Sequence, residues 1–204
     1  MKKCRIIGLT GQSGAGKSTA AKFFEQNGFC IINADLLVRK IYSSGSPCIK
    51  TIASVFGEDI IAENGSPDRK LLAKRAFSSK ENTALLSSIV HPFVTAELLA
   101  ETKKAAESGA KTVIYDAPQL FESNADVICC EIISVIAEKK VRLERICRRD
   151  NISEELALMR MDVQLDEEFF KVNSDYILEN NSDLSSLNTQ LEGLLKQLKS
   201  KIPR

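Results

Sequence analysis

Residues 10–19 read TGQSGAGKST, and the reading of this stretch decides the fold. Gly11 to Ser18 fit the pattern G-x-x-x-x-G-K-[ST] in full. That pattern carries physical meaning only where a strand leads into it and a helix leads out of it. Both conditions hold: CRIIGL (4–9) is a short apolar run, and STAAKFFEQ (18–26) has helical spacing. Gly11, Gly14 and Gly16, with Gln12, Ser13 and Ala15 between them, let backbone N–H groups turn inward around an anion. The helix that follows adds its unpaired N–H groups and the positive end of its dipole. Lys17 is a point charge suited to β- and γ-phosphates. Ser18 can give one oxygen to Mg2+, an ion that keeps most of its coordination for water and phosphate. The loop through Thr19 is therefore expected to hold ATP or a close relative. A chance glycine-rich turn opening a helix is the alternative, and it would not require strand, loop and helix in register.

Outward from the loop, strand-like runs are short, apolar and rich in β-branched residues: CRIIGL (4–9), FCIIN (29–33), TVIYDA (112–117), VICCEIISVIA (127–137) and DYILEN (175–180). Helical patterns cover 18–26, 46–56, 68–77, a long stretch over 80–107 interrupted or kinked near Pro92, then 139–149, 154–164 and 183–199, the last with Asp183 as N-cap. Alternating strands and helices predict an α/β layered fold around a five-stranded parallel sheet, and the continuously apolar strands agree with burial on both faces. The gap of about 80 residues between the second and third strands is too long for a simple crossover. It predicts a helical insertion, residues 35–107, forming a substrate-binding lobe. The charged helical segment 138–173 reads as a mobile lid, leaving 1–34, 108–137 and 174–204 as the core.

Composition narrows the class. The 204 residues suffice for a sizeable core, and 44% hydrophobic with 27% charged residues is ordinary for a globular protein. Basic and acidic residues number 28 and 27, so no electrostatic case exists for a nucleic-acid or membrane-surface partner. Contiguous apolar runs are only a few residues long, so no span of a bilayer is expected. The N-terminal apolar run passes straight into the glycine loop and reads as a buried strand, not a leader. A cytoplasmic protein is the expectation. None of the six cysteines forms a C-x-x-C pair, and they read as small buried hydrophobes in a reducing compartment. His91 is the single histidine, and no metal-ligand spacing surrounds it.

Among phosphate-loop proteins, a GTP-binding switch should carry N-K-x-D and an ABC-type ATPase an L-S-G-G-Q-like stretch; neither is in the sequence. NADLLVRKIY (33–42) puts Asp35 and Arg39 just past the second strand. Ligands of open parallel sheets gather outside the carboxyl ends of strands. A carboxylate at Asp35 can take a proton from an attacking hydroxyl or orient it, and Arg39 can hold an acidic substrate; equally, Asp35 can be an N-cap and Arg39 solvated. Asp116, ending the third strand, can hold Mg2+ through water, or simply form a turn before Pro118. RLERICRRDNISEELALMRMDVQ (142–164) carries arginines at 142, 145, 148, 149 and 160. A solvated helix is the default for such a run, yet Arg145 and Arg149 share a face and could stabilise a transferring phosphoryl group from a water-excluding lid.

Taken together these pieces resemble the dephospho-CoA kinase family over nearly the whole chain. The carriers are IIGLTGQSGAGKSTAAKFF, Asn33-Ala34-Asp35 with Arg39 for D-A-D-x-x-x-R, Phe56-Gly57, Asp68-Arg69, the His91-Pro92 stretch, and Pro118-Gln119-Leu120-Phe121-Glu122 for P-L-L-F-E. Arg149-Asp150, then Arg160-Met161-Asp162-Val163-Gln164 for R-I-x-x-Q, and the close at 174–182 complete the set. The resemblance implies a P-loop kinase fold with a helical CoA-binding domain and a lid. The implied activity is transfer of the γ-phosphoryl group of ATP to the ribose 3′-hydroxyl of dephospho-CoA, with Mg2+ and with no nucleic-acid, membrane or protein partner. It further implies that Asp35 is the base or orienting group, that Lys17, Arg145, Arg149 and Arg160 serve the phosphates, and that Asn180 begins an adenine-contacting loop. Asp68, Arg69, His91 and Pro118 fall on the acceptor side. Four positions depart from the family pattern: Asn33 for aspartate, Gln119 for leucine, Arg142 for glutamine and Ser182 for glycine. Another nucleotide or nucleoside kinase, or a nucleotide-dependent regulatory protein, are the competing classes.

Overall fold

The structure, a computed structural model, describes residues 4–201. Five strands, β1 (Arg5–Gly11), β2 (Cys30–Asn33), β3 (Thr112–Asp116), β4 (Glu131–Ile136) and β5 (Tyr176–Glu179), form a sheet in the order β2-β3-β1-β4-β5. β1 runs parallel to both its neighbours, with Leu9 beside Asp116 of β3 and Gly11 beside Val135 of β4, and β4 runs parallel to β5. The chain leaves β1 toward one edge and reaches β4 on the other side. The crevice at the carboxyl end of β1 is thus the switch point where such sheets bind ligands.

The sheet is buried by α1 (Lys17–Gln26) and α9 (Leu184–Ser200) among others. Ile7, Leu9, Ile114, Ile133 and Val135 are fully enclosed, packed with Phe24 of α1 and with Leu187, Leu191, Leu194 and Leu198 of α9. The four leucines recur at the spacing of one helical face, and each contributes about 2 kcal/mol by leaving water. Asp183 caps α9 by accepting from Ser186 N–H at 3.0 Å, as the sequence predicted.

The chain divides into two compact units. One comprises the chain up to Ile32 and from Thr102 onward; the other is Asn33–Glu101. The second contains α2 (Ala34–Ile41), α3 (Pro47–Phe56), α4 (Arg69–Ala76) and most of α5 (Lys80–Glu107). Its own core is Ile41, Cys48, Ile49, Ile52, Ala53, Phe56, Ile60, Leu72 and Ala76, against which Leu86, Ile89, Val90, Phe93 and Val94 of α5 pack. In the first unit, α6 (Lys139–Asp150), α7 (Glu154–Asp162) and α8 (Glu167–Asn173) lie between β4 and β5.

Several expectations change. Residues 127–130 are not strand: a 3-10 turn covers Ala125–Ile128 after Asn124 in the left-handed region, and the strand starts at Glu131. The β-branched pair Val127-Ile128 imitates a strand, but Val127 is 78% exposed. α5 runs unbroken through Pro92; proline and the Ser88 carbonyl it leaves unbonded are both on the exposed side, where water can serve that carbonyl. α5 is also long and apolar enough to cross a bilayer by length and composition, with a window of mean hydropathy 1.4, which contiguous-run reading passes over. α8 has no counterpart in the sequence reading; Asp166 caps it through Phe169 N–H at 2.7 Å.

The cysteines are all reduced, and they are not uniformly buried: Cys48 is buried, whereas Cys30 and Cys130 are exposed. Both sit at strand starts, where the apolar run begins before the sheet's covering layers do. Burial pushes the Cys48 thiol up to about 11 and the Cys129 thiol up to about 12. Since the thiolate is the nucleophile, alkylation of the native protein at about pH 8 should label Cys30 and Cys130 first and reach Cys48 and Cys129 only on unfolding. Mass mapping of iodoacetamide adducts checks this, and early labelling of Cys48 would contradict it.

Candidate active site

Two glycines show why the loop between β1 and α1 has its sequence. Gly14 has φ +80°, and a Cβ there would lie 2.8 Å from the Arg142 carbonyl oxygen of α6. Gly16, at φ +109°, is the N-cap of α1, and its missing Cβ leaves room for the Asn180 side-chain amide. An L side chain at either position would be strained by its backbone and blocked by its neighbour. α1 opens with no side-chain cap and no acidic residue in its first turn. In contrast Asn33, Ser46, Asp68, Ser153, Asp166 and Asp183 cap α2, α3, α4, α7, α8 and α9. The first N–H groups of α1 are left for an anionic ligand.

These groups face a cavity of about 490 Å3 lined by Gly11, Gln12, Ser13, Gly14, Gly16, Lys17, Ser18, Pro118, Arg145, Arg148, Arg149 and Gln164. Four of these are cations, and no carboxylate is among them. Such a one-sign lining between low-dielectric walls suits a polyanion. Lys17 is paired with Asp116, the buried last residue of β3. Pro118 is exposed and accepts a hydrogen bond from Thr10 Oγ1 at 3.4 Å.

The arginines divide by what already holds them. Arg145 donates to the Asn180 backbone carbonyl at 2.9 Å and to the Gly14 carbonyl at 3.4 Å. Asn180, 8% exposed, donates its Nδ2 to the Ala15 carbonyl at 2.7 Å. Arg145 and Asn180 thus brace the back of the loop, and Ala15, Thr19 and Asn180 do not line the cavity. Arg149 is bonded to Asp150 at 2.7 and 2.9 Å, and Arg160 shares that carboxylate at 3.1 Å. The Arg149 hydrogen bonds hold the Asp150 carboxyl below its usual value. Arg148 lines the cavity, is exposed, and has no hydrogen-bond or ion-pair partner among the described residues. Sequence reading gave it no role, although positions 145, 148 and 149 fall on one helical face. Arg142, expected as added lid charge, is 7% exposed; its Nε donates to the Ala137 carbonyl at 2.9 Å, and burial pushes its guanidinium pKa down.

Two further contacts reach the loop. Ser13 N–H donates to Gln164 Oε1 at 3.2 Å, and Gln12 Nε2 donates to the Leu165 carbonyl at 3.3 Å. Gln164 was quoted in the R-I-x-x-Q pattern without a function, and only the fold reveals its neighbour.

The remaining candidates belong to the second unit. Asp35 and Arg39 are exposed on α2, with Asp35 in its first turn. The cap of that helix is Asn33, which accepts from Leu36 N–H at 3.1 Å, so the capping role considered for Asp35 is already filled. Asp68 caps α4 through Lys70 N–H and Leu71 N–H, both at 3.0 Å, and Arg69 is exposed beside it. His91 is half-buried within α5.

No cluster of three metal-ligating side chains occurs among the described residues. The lining does suit an ion that arrives with a polyphosphate: Ser18 contributes a hydroxyl beside the loop, and the Asp116 carboxylate adjoins Lys17.

Comparison with known proteins agrees with this geometry. A family model described as dephospho-CoA kinase matches residues 5–186. A dephospho-CoA kinase of Syntrophotalea carbinolica is 35% identical over 193 residues, covering 95% of this chain and 92% of the relative. A Thermus thermophilus protein of known crystal structure superposes with TM-score 0.81 at 29% identity, over 97% of this chain and 99% of that one. Dephospho-CoA kinase from Campylobacter jejuni superposes with TM-score 0.70 at 25% identity, over 96% and 97%. With its phosphate loop at the switch point of a parallel sheet and this match along nearly its full length, the chain belongs to the dephospho-CoA kinase family.

Proposed function

We propose that the chain transfers the γ-phosphoryl group of ATP to the ribose 3′-hydroxyl of dephospho-CoA, yielding coenzyme A and ADP. The observation that carries this is the cavity at the end of β1, lined by a phosphate loop and four cations with no carboxylate. In the reaction the ribose oxygen forms a bond to the γ-phosphorus as the bond to the β,γ-bridging oxygen breaks. The loop N–H groups and the open end of α1 bind the phosphates, and Thr19 extends that first turn. Lys17 exchanges Asp116 for phosphate oxygens. Ser18 and Asp116 would hold Mg2+, which would supply charge neutralisation on the triphosphate. Arg148 and Arg149 supply positive charge to the terminal phosphates, and Arg145 keeps the loop in shape through Asn180.

Asp35 orients the attacking hydroxyl and takes its proton. Asn33 is compatible with that role because its amide already caps α2, leaving Asp35 as the carboxylate of the motif. Arg39, Asp68, Arg69 and His91 on the second unit, with Pro118 at the cavity, are the acceptor-side candidates, Asp68 with one oxygen committed to its helix cap. Residues 35–107 act as the CoA-binding part and 138–173 as a lid that excludes water from the transfer. The reading implies the cytoplasm, where ATP and reduced thiols are maintained.

With Mg-ATP, ADP release should depend on dephospho-CoA and not on AMP, UMP or uridine. Release independent of every acceptor would favour a regulatory ATPase. Asp35→Asn should cut turnover by about two orders of magnitude with nucleotide affinity retained; near-normal turnover would remove Asp35 from the chemistry. Arg148→Ala, which breaks no hydrogen bond or ion pair among the described residues, should weaken ATP binding about tenfold, the scale of one hydrogen bond to a charged group, and leave the unfolding temperature unaltered. Unchanged ATP affinity in that variant would show that the exposed guanidinium stays in solvent.

A further inference from the structure

The Ser13 N–H belongs to the concave run of loop donors, and it is already occupied. Its acceptor, Gln164 Oε1 at 3.2 Å, comes from the segment that follows α7. The neighbouring loop residue repeats the tie in the same sense, this time from its side chain: Gln12 Nε2 donates to the Leu165 carbonyl at 3.3 Å. Gln12 is 4% exposed, and its Oε1 has no partner among the described residues. Gln164 itself lines the cavity. A neutral amide oxygen therefore sits on a loop donor where a phosphoryl oxygen could bind with a charge-assisted bond. Ser13 lies three residues before Gly16, the cap of α1, and so toward the β1 end of the loop.

We propose that Gln164 is a positioning residue for the transferring phosphoryl group, and so a sensor of triphosphate against diphosphate. Its Oε1 accepts from the Ser13 N–H. When ATP binds, a terminal phosphoryl oxygen takes that N–H, and the side chain turns about its last torsion to present its NH2 group to the same phosphoryl. An amide is suited to both states because it carries an acceptor and a donor on one carbon. The Gln12–Leu165 bond keeps the backbone beside Gln164 at the loop during the exchange. This inference rests on the kinase reading above and deepens it.

The test measures nucleotide affinity by calorimetry, with ADP and with a non-hydrolysable β,γ-imido analogue of ATP, on the full chain and on Gln164→Glu and Gln164→Ala. Gln164→Glu keeps the acceptor but adds charge, so it should weaken the triphosphate analogue about tenfold or more while ADP stays within about twofold. Gln164→Ala should lower kcat about tenfold and narrow the preference for the analogue over ADP, again with ADP within about twofold. Equal losses for both nucleotides, or none, would overturn the proposal. So would a lowered unfolding temperature with the analogue-to-ADP preference intact, which marks the contact as a structural tie. If the unaltered chain binds both nucleotides yet fails to phosphorylate dephospho-CoA, the substrate reading falls, and the affinities still decide the role of Gln164.

Discussion

The open end of α1 is the constraint on which the rest of the site is built. A helix start normally finds side-chain acceptors for its first N–H groups, and seven other α-helices among the described residues have one, α6 being the exception beside α1. At α1 the cap is Gly16 in the left-handed region, with no side chain to offer. The donors are left to water or a ligand, and an anion is the partner that also gains from the dipole. The sheet order supplies the location. β1 lies between β3 and β4, so the loop it feeds opens where the connections diverge, with Asp116 at one side and α6 at the other.

Holding that loop in shape takes as much of the surrounding sequence as binding does. Gly14 lies under the Arg142 carbonyl, Ala15 accepts from Asn180, and Arg145 reaches both Gly14 and Asn180. The buried Asn180 is paired on both ends of its amide, to the Ala15 carbonyl and to Arg145, as a polar side chain in low dielectric requires. The arginines of α6 thus separate into a brace, Arg145, and groups nearer solvent, Arg148 and Arg149. Arg142 ties α6 to the residue after β4 through Nε, while its buried Nη1 has no partner among the described residues.

How much of this was legible in the sequence depended on whether a local rule applied. The phosphate loop was readable because its backbone conformation demands glycine at fixed positions, and Asp183 because a cap needs only its own helix. Cys30 and Cys130 were misread as buried since an apolar run does not say where the covering layer starts. Val127 and Ile128 were misread as strand since β-branched residues also serve in turns. The roles of Arg145, Arg142 and Gln164 depend on partners between 5 and 151 positions away along the chain. No spacing rule along one helix reaches them. Asn33 was legible only as a departure from a motif; its physical function, the cap of α2, required the helix boundary.

The partners of the loop donors also bear on why an anion suits the site. Lys17 is largely buried, and a buried charge without a partner is costly, so Asp116 takes it. The Ser13 N–H is taken by Gln164. The acceptor at Ser13 is a neutral amide oxygen, so an anionic oxygen in its place would make the stronger, charge-assisted bond.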